Sequence, residues 1–301
     1  MSAPIPPLLT LQYRGASGSP QVFRLLGGSV LTPVGGALPT TYETSSTYFS
    51  CANNRVIHFQ DKLIATLRDE IFVYNENNPT ADWTSVHTIS DFSNTGGYAR
   101  KTGIEKVNVD GTPTLVIGYM TVSGHFAMTT STDGETWTDS GDISGFTIST
   151  SQRHGRQITF DNRIFWVHGA GNTSVIDVLE INPQTGVATR HNLVPNAINT
   201  ASSDLCVFDN RLWMITFADS ANPGDIELWE YTGGTFVYRF DFDDGTGYPA
   251  NDGDNENHIT FALFTDGSSM FAVIPGRNAA SQKGNYVIKL SLSAGPGSSL
   301  T

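Results

Sequence analysis

Positive charge is what this chain has least of. Its 301 residues hold five lysines and twelve arginines against 29 aspartates and glutamates, for a formal net charge of −12. Surfaces that hold a nucleic-acid backbone or an anionic membrane reward clustered Lys and Arg, so no nucleic-acid partner is expected. Cysteine is nearly missing: Cys51 and Cys206 lie far apart, with Cys206 in an apolar run, and they read as free thiols and not as a disulfide framework. Long hydrophobic runs are also lacking. Met1-Ser2-Ala3-Pro4-Ile5-Pro6-Pro7 has neither the basic start nor the apolar stretch of an export signal, and no later run is long enough to cross a bilayer. Neither export nor membrane insertion is expected. No window sustains apolar residues at i, i+3, i+4 and i+7, which predicts almost no helix.

What the chain does have is glycine (30 residues), 11% aromatics, abundant Thr, Val and Ile, and only 15% charged residues. That balance suits short strands joined by tight turns. One stretch shows how they are organised. Ile158-Thr159-Phe160-Asp161-Asn162-Arg163-Ile164-Phe165-Trp166 is two apolar runs joined by a two-residue turn, and Leu205-Cys206-Val207-Phe208-Asp209-Asn210-Arg211-Leu212-Trp213 repeats it. Asp, Asn and Gly tolerate the positive φ of such hairpins. First-turn aspartates stand at Asp61, Asp110, Asp161, Asp209 and Asp266, with spacings of 49, 51, 48 and 57 residues. A period of this length marks a repeat architecture.

Each period has room for a four-stranded antiparallel meander, too small to hide both of its own faces. Five such units packed face to face hide one another, which predicts an all-β fold, a single β-propeller of about five four-stranded blades. The last repeat offers only three strands, so a strand from residues 8–27 is expected to pair with it and close the ring; six blades are the alternative if residues 8–45 form a degenerate blade. The expected organisation is an N-terminal extension over residues 1–45, propeller repeats over 46–295 and a flexible tail over 296–301.

Ser131-Thr132-Asp133-Gly134-Glu135-Thr136-Trp137 resembles the Asp-box of sialidase-type and related propellers, one residue shorter than the usual form. The resemblance implies a structural device: Ser131 and Asp133 cap the turn, and Trp137 packs between blades. Trp83 holds a similar place one repeat earlier without the rest of the box. The repeat over residues 46–293 also resembles kelch-like and Asp-box propellers of phage tail, neck and fibre proteins. That resemblance implies a non-enzymatic virion component, located in the virion (cytoplasm is the alternative) and partnered by other virion or assembly proteins or by a host-surface glycan. Two alternatives stand beside it: a glycan-active hydrolase or lectin using the propeller funnel, and a cellular partner-binding protein.

Sialidase activity is not expected, because Val22-Phe23-Arg24-Leu25-Leu26 lacks the Ile-Pro that the family's opening motif carries. A glycosidase of another kind needs two carboxylates flanking a sugar; Glu105, Asp177, Asp204 and Glu256 qualify by acidity alone, and no catalytic residue is assigned. The residues leading into the innermost strands would ring the funnel mouth. They include Arg100, Lys101, Arg153, His154 and His258, a more basic set than the chain as a whole, suited to an anion or a glycan but also explained by the solvation of a channel. No cofactor is expected, except that Asp252, Asp254 and Glu256 in an acidic loop offer oxygens to Ca²⁺ without EF-hand spacing. His58, His87, His125, His168 and His191 are too scattered for a zinc site. Asp110, Asp133, Trp137, Asp161, Asp209 and Asp266 are expected to serve the turns.

Overall fold

The computed structural model describes residues 8–11, 21–26, 30–39, 56–67, 69–78, 82–92, 101–147, 153–169, 176–193, 200–218, 226–241, 262–277 and 283–290. These residues form antiparallel strands and no helix. Two compact units divide the chain, residues 1–148 and 149–301.

In the first unit, β1 (Leu8–Leu11), β2 (Gln21–Leu26) and β3 (Val30–Pro33) make a three-stranded sheet. A four-stranded meander follows from β4 (Val56–Phe59), β5 (Lys62–Leu67), β6 (Glu70–Asn75) and β7 (Thr84–Thr88). The next is β8 (Lys101–Val109), β9 (Thr112–Met120), β10 (His125–Ser131) and β11 (Thr138–Thr147). Strand side chains alternate between faces, and the middle sheet uses both. Leu63, Ala65, Leu67 and Phe72 pack with Val22, Val34, Leu38 and Trp83 on one side. On the other side, Ile64, Ile71 and Val73 pack with Ile104, Leu115, Ile117, Tyr119 and Trp137. A sheet buried on both faces is what face-to-face stacking of repeats requires.

In the second unit, β12 (Arg153–Phe160), β13 (Arg163–Gly169), β14 (Ile176–Ile181) and β15 (Ala188–Leu193) form one meander. The next is β16 (Thr200–Phe208), β17 (Arg211–Ala218), β18 (Ile226–Thr232) and β19 (Thr235–Asp241). A three-stranded sheet, β20 (Ala262–Thr265), β21 (Met270–Arg277) and β22 (Lys283–Leu290), ends the described chain. Phe165, Val167 and Val178 of the first meander pack on Leu205, Leu212, Met214, Trp229 and Phe236 of the second.

The fold is an all-β propeller of four-stranded antiparallel blades, about five in number. The repeated hairpins turn where the backbone enters the left-handed region, at φ 47° and 54° for Asp161 and Asn162 and 52° and 53° for Asp209 and Asn210. Such paired positive φ values match the twist of the flanking strands. In the N-terminal segment β1 pairs with β2 and β2 with β3, and in the last sheet β22 pairs with β21. Val30–Pro33, which was not among the expected strands, is a strand because its backbone finds the open edge of β2.

Candidate functional site

The innermost strands of three successive repeats share an irregularity at their leading ends. The pairing register slips between Lys101 and Ile104 in β8, between His154 and Gln157 in β12, and between Thr200 and Ser202 in β16. A bulge bends the strand and re-aims the residues around it, and bulges gather at rims and beside active sites. In the second unit β12 and β16 lie alongside one another, and β16 alongside β20. Just past its bulge, β16 carries Asp204, buried at 7% exposure. Its Oδ1 accepts the backbone N–H of Leu205 at 2.9 Å, and its Oδ2 accepts that of Leu263 on β20 at 2.8 Å. This carboxylate therefore fixes the neighbouring innermost strand.

The residues predicted for the funnel mouth fall as follows. Lys101 opens β8 in the first unit, and Arg153 and His154 open β12 in the second, opposite Gly169 and His168. Arg100 and His258 lie outside the described residues, as do Asp252, Asp254 and Glu256 of the acidic loop. Among the described residues no group of three or more His, Cys, Asp or Glu is placed to hold a metal ion. Glu105 is half-buried on β8, and Asp177 on β14 stands opposite His168 and Asn192.

At the turn end of the second unit the carboxylates are already taken. Glu180 of β14 is buried, accepting Arg163 on Oε1 at 2.5 Å, and His191 and the Tyr231 hydroxyl on Oε2, both at 2.8 Å. Burial opposes ionisation of Glu180, but these three donors outweigh it and hold its pKa below the usual carboxylate value. Burial, reinforced by Glu180, pushes the Tyr231 hydroxyl up to about 12. One sheet later Glu230 is held by Arg211 at 3.2 Å and by Arg239 at 2.6 Å. A carboxylate so engaged and a phenol so hard to ionise suit a scaffold, not proton transfer. Sequence reasoning missed these Arg–Glu pairs. The available signal was a glutamate within a largely apolar strand, 17 residues after Arg163 and 19 after Arg211.

The remaining turn residues serve local structure in two ways. Asp110, Asp161 and Asp209 occupy positive φ. Asp133 and Asp266 act through their carboxylates: Asp133 Oδ1 accepts the N–H groups of Glu135 and Thr136, and Asp266 Oδ1 those of Ser268 and Ser269. Trp137 donates its indole N–H to Gly134 O at 3.1 Å and is buried against the preceding sheet. Lys62 of that sheet reaches Asp133 O at 3.0 Å.

No protein-family model matches the sequence, and no curated protein is detectably similar. Similar solved structures do exist. An exo-1,5-α-L-arabinanase from a bovine ruminal metagenomic library is 11% identical, with 81% of this chain and 95% of that one covered and a TM-score of 0.37. An endo-arabinanase from Bacillus licheniformis is 13% identical over 80% and 94%, with a TM-score of 0.40. Aleuria aurantia lectin bound to α-methyl-L-fucoside is 10% identical over 76% and 73%, with a TM-score of 0.46. The expectation of a non-enzymatic virion component is corrected by this set. The solved structures named here are glycoside hydrolases and a lectin, and not phage proteins.

Proposed function

We propose that this chain is a glycan-active hydrolase, with sugar met by the bulged leading ends of innermost strands. The observation that supports this is the recurrence of a bulge at that end of β8, β12 and β16, where the polar residues Lys101, Arg153 and His154 stand. Hydrolysis of a glycosidic bond takes a proton donor at the leaving oxygen and a carboxylate across the ring. Two carboxylates stand on innermost strands close to a bulge, Glu105 in the first unit and Asp204 in the second. Asp204 acts through position, holding β20 in place, and Glu105 is the first candidate for direct contact with sugar. The Ser131–Trp137 turn is, on this reading, an Asp-box-type device with a scaffold role.

The test is release of reducing ends from arabinan, xyloglucan and fucosylated oligosaccharides by the purified full chain, repeated with Glu105→Gln and Arg153→Glu. Turnover by the wild type, lost in both variants while their melting transitions stay in place, is the expected result. Binding without turnover would overturn the hydrolase and leave a lectin; neither binding nor turnover would sink the glycan reading.

A further inference from the structure

In the first unit, the seam between the β4–β7 sheet and the β8–β11 sheet ends on a group of polar side chains beside the bulge of β8. Thr66, Ile71 and His87 stand in one row across β5, β6 and β7. Tyr119, Ala127 and Asp142 stand in another across β9, β10 and β11, and Ile71, Tyr119 and Ala127 pack together in the seam. His87 Nε2 meets Asp139 Oδ1 of β11 at 3.1 Å, which ties the last strands of the two sheets, and His125 Nδ1 meets Asp142 Oδ2 at 2.7 Å. The other oxygen of each carboxylate makes no hydrogen bond among the described residues. Asp91, exposed on the link between the sheets, accepts the N–H of Val122 on its backbone and, at 3.4 Å, on its carboxylate. Two buried hydroxyls have no partner among the described residues: Thr66 Oγ1, on a residue 3% exposed, and the hydroxyl of Tyr119, 1% exposed. Burial, and then the charges of Asp139, Asp91 and Asp142, push that Tyr119 hydroxyl up to about 12, so the three carboxylates send their field toward it.

We propose that this end of the seam binds a primary ammonium group, carried by an amino sugar of the glycan substrate. An ionised carboxylate only accepts hydrogen bonds, and an ammonium only donates them, three at a time. A donor-only cation therefore fits a place where Asp91, Asp139 and Asp142 supply the acceptors, and each such bond is charge-assisted. A neutral sugar hydroxyl fits less well, because its lone pairs face the same carboxylates. The Tyr119 hydroxyl, kept neutral, offers a further lone pair at the buried side. His87 and His125 each spend one ring nitrogen on a carboxylate, so Asp139 and Asp142 are held before the ligand arrives and little ordering is lost on binding. Lys101 stands opposite Tyr119 in the register and is the rival cation, since its own ammonium in that place would close the site.

The inference rests on the glycan reading above, and the test separates the two. The full chain is titrated calorimetrically with a glucosamine tetramer and with its N-acetylated counterpart, and release of reducing ends is followed in the same samples. The titration is repeated with Asp142→Asn, Tyr119→Phe, Glu135→Gln and Lys101→Met. The wild type should hold the free amine and not the acetylated sugar, with affinity about tenfold lower in Asp142→Asn and measurably lower in Tyr119→Phe. Glu135→Gln removes an equal charge beyond the far end of β10 and should change nothing, which sets a site apart from general attraction to a chain of net charge −12. Binding without release of reducing ends keeps the ammonium site and sinks the hydrolase; turnover of neutral glycans without binding of the amine does the reverse. Equal binding of the two tetramers, equal losses in Glu135→Gln and Asp142→Asn, or binding that appears only in Lys101→Met would each overturn the site. Asp142 is 42% exposed, so its variant guards against a folding defect in Tyr119→Phe.

Discussion

Tyr231, on the third strand of one sheet, donates its hydroxyl to Oε2 of Glu180, on the third strand of the sheet before it, at 2.8 Å and across 51 residues of sequence. Two repeats are thereby joined through a buried carboxylate as well as through their apolar faces. Phe165, Phe236 and His191 surround the Tyr231 ring edge-on or tilted, at 4.8 to 5.9 Å, so the hydroxyl has little room to find another acceptor.

Tyr231→Phe keeps the ring and removes that one donor. The expected cost is about 2 kcal/mol, the usual range for a buried hydrogen bond to a charged group. Urea denaturation of the full chain measures it. A change of a few tenths would mean that Arg163 and His191 satisfy Glu180 without Tyr231.

How much of this was legible in the sequence follows from what the turns and strands need. Asp161-Asn162 and Asp209-Asn210 announce hairpins because few side chains tolerate positive φ twice in a row. The nearly continuous apolar run over residues 63–67 announces a strand buried on both faces. Glu180 and Glu230 were not legible as a pair of anchors. Each is recognised only once register places it beside Arg and His residues from other strands, and periodicity alone does not supply register across a loop. The leading-end bulges were hidden for a related reason: an extra residue in one strand shows only against its partner.

Acid should loosen the first unit through Asp133. The backbone N–H of Thr136, together with that of Glu135 and the Ser131 and Thr136 side chains, lowers its pKa from 3.8 to about 2, against a smaller opposing effect of burial. A carboxylate whose folded pKa is depressed stabilises the fold above its unfolded pKa and loses that contribution as pH falls through the folded value. The stability of the wild type should therefore decline between about pH 4 and pH 2. Asp133→Asn should be less stable at neutral pH and flatter across that window. Parallel slopes for the two proteins would show that the acid response lies elsewhere.

Gly134 and Gly111 separate two costs that usually come together. Both have left-handed backbone, φ 79° and 80°. A Cβ on Gly111 meets nothing within 4 Å, whereas one on Gly134 would stand 2.8 Å from Ile64 Cδ1 in the preceding sheet. Gly111→Ala should cost about 1 kcal/mol, from the backbone alone. Gly134→Ala should cost more, because the turn must withdraw from Ile64, and thermal melts of the two variants give the comparison. Equal losses would show that the Ile64 side chain swings away freely.

The strongest non-additivity should appear at Glu230. Its side chain is 8% exposed, and Arg211 and Arg239 hold its two oxygens from opposite strands while remaining 55% and 39% exposed themselves. Losing either arginine leaves the carboxylate one cation and exposes little new apolar surface, so each alanine variant should cost about 1 kcal/mol or less. Losing both leaves a buried carboxylate facing no cation. The cost then approaches that of a broken buried ion pair, about 3 kcal/mol. The double variant should therefore lose more stability than the sum of the singles. Glu230→Met in the same background should recover most of the loss, because an apolar side chain of similar volume no longer needs a partner there. Urea denaturation of the wild type, the two single variants, the double variant and its Glu230→Met derivative decides it. Additive losses would mean that water or another group already reaches Glu230, and that the arginines shield the carboxylate without being needed to hold it.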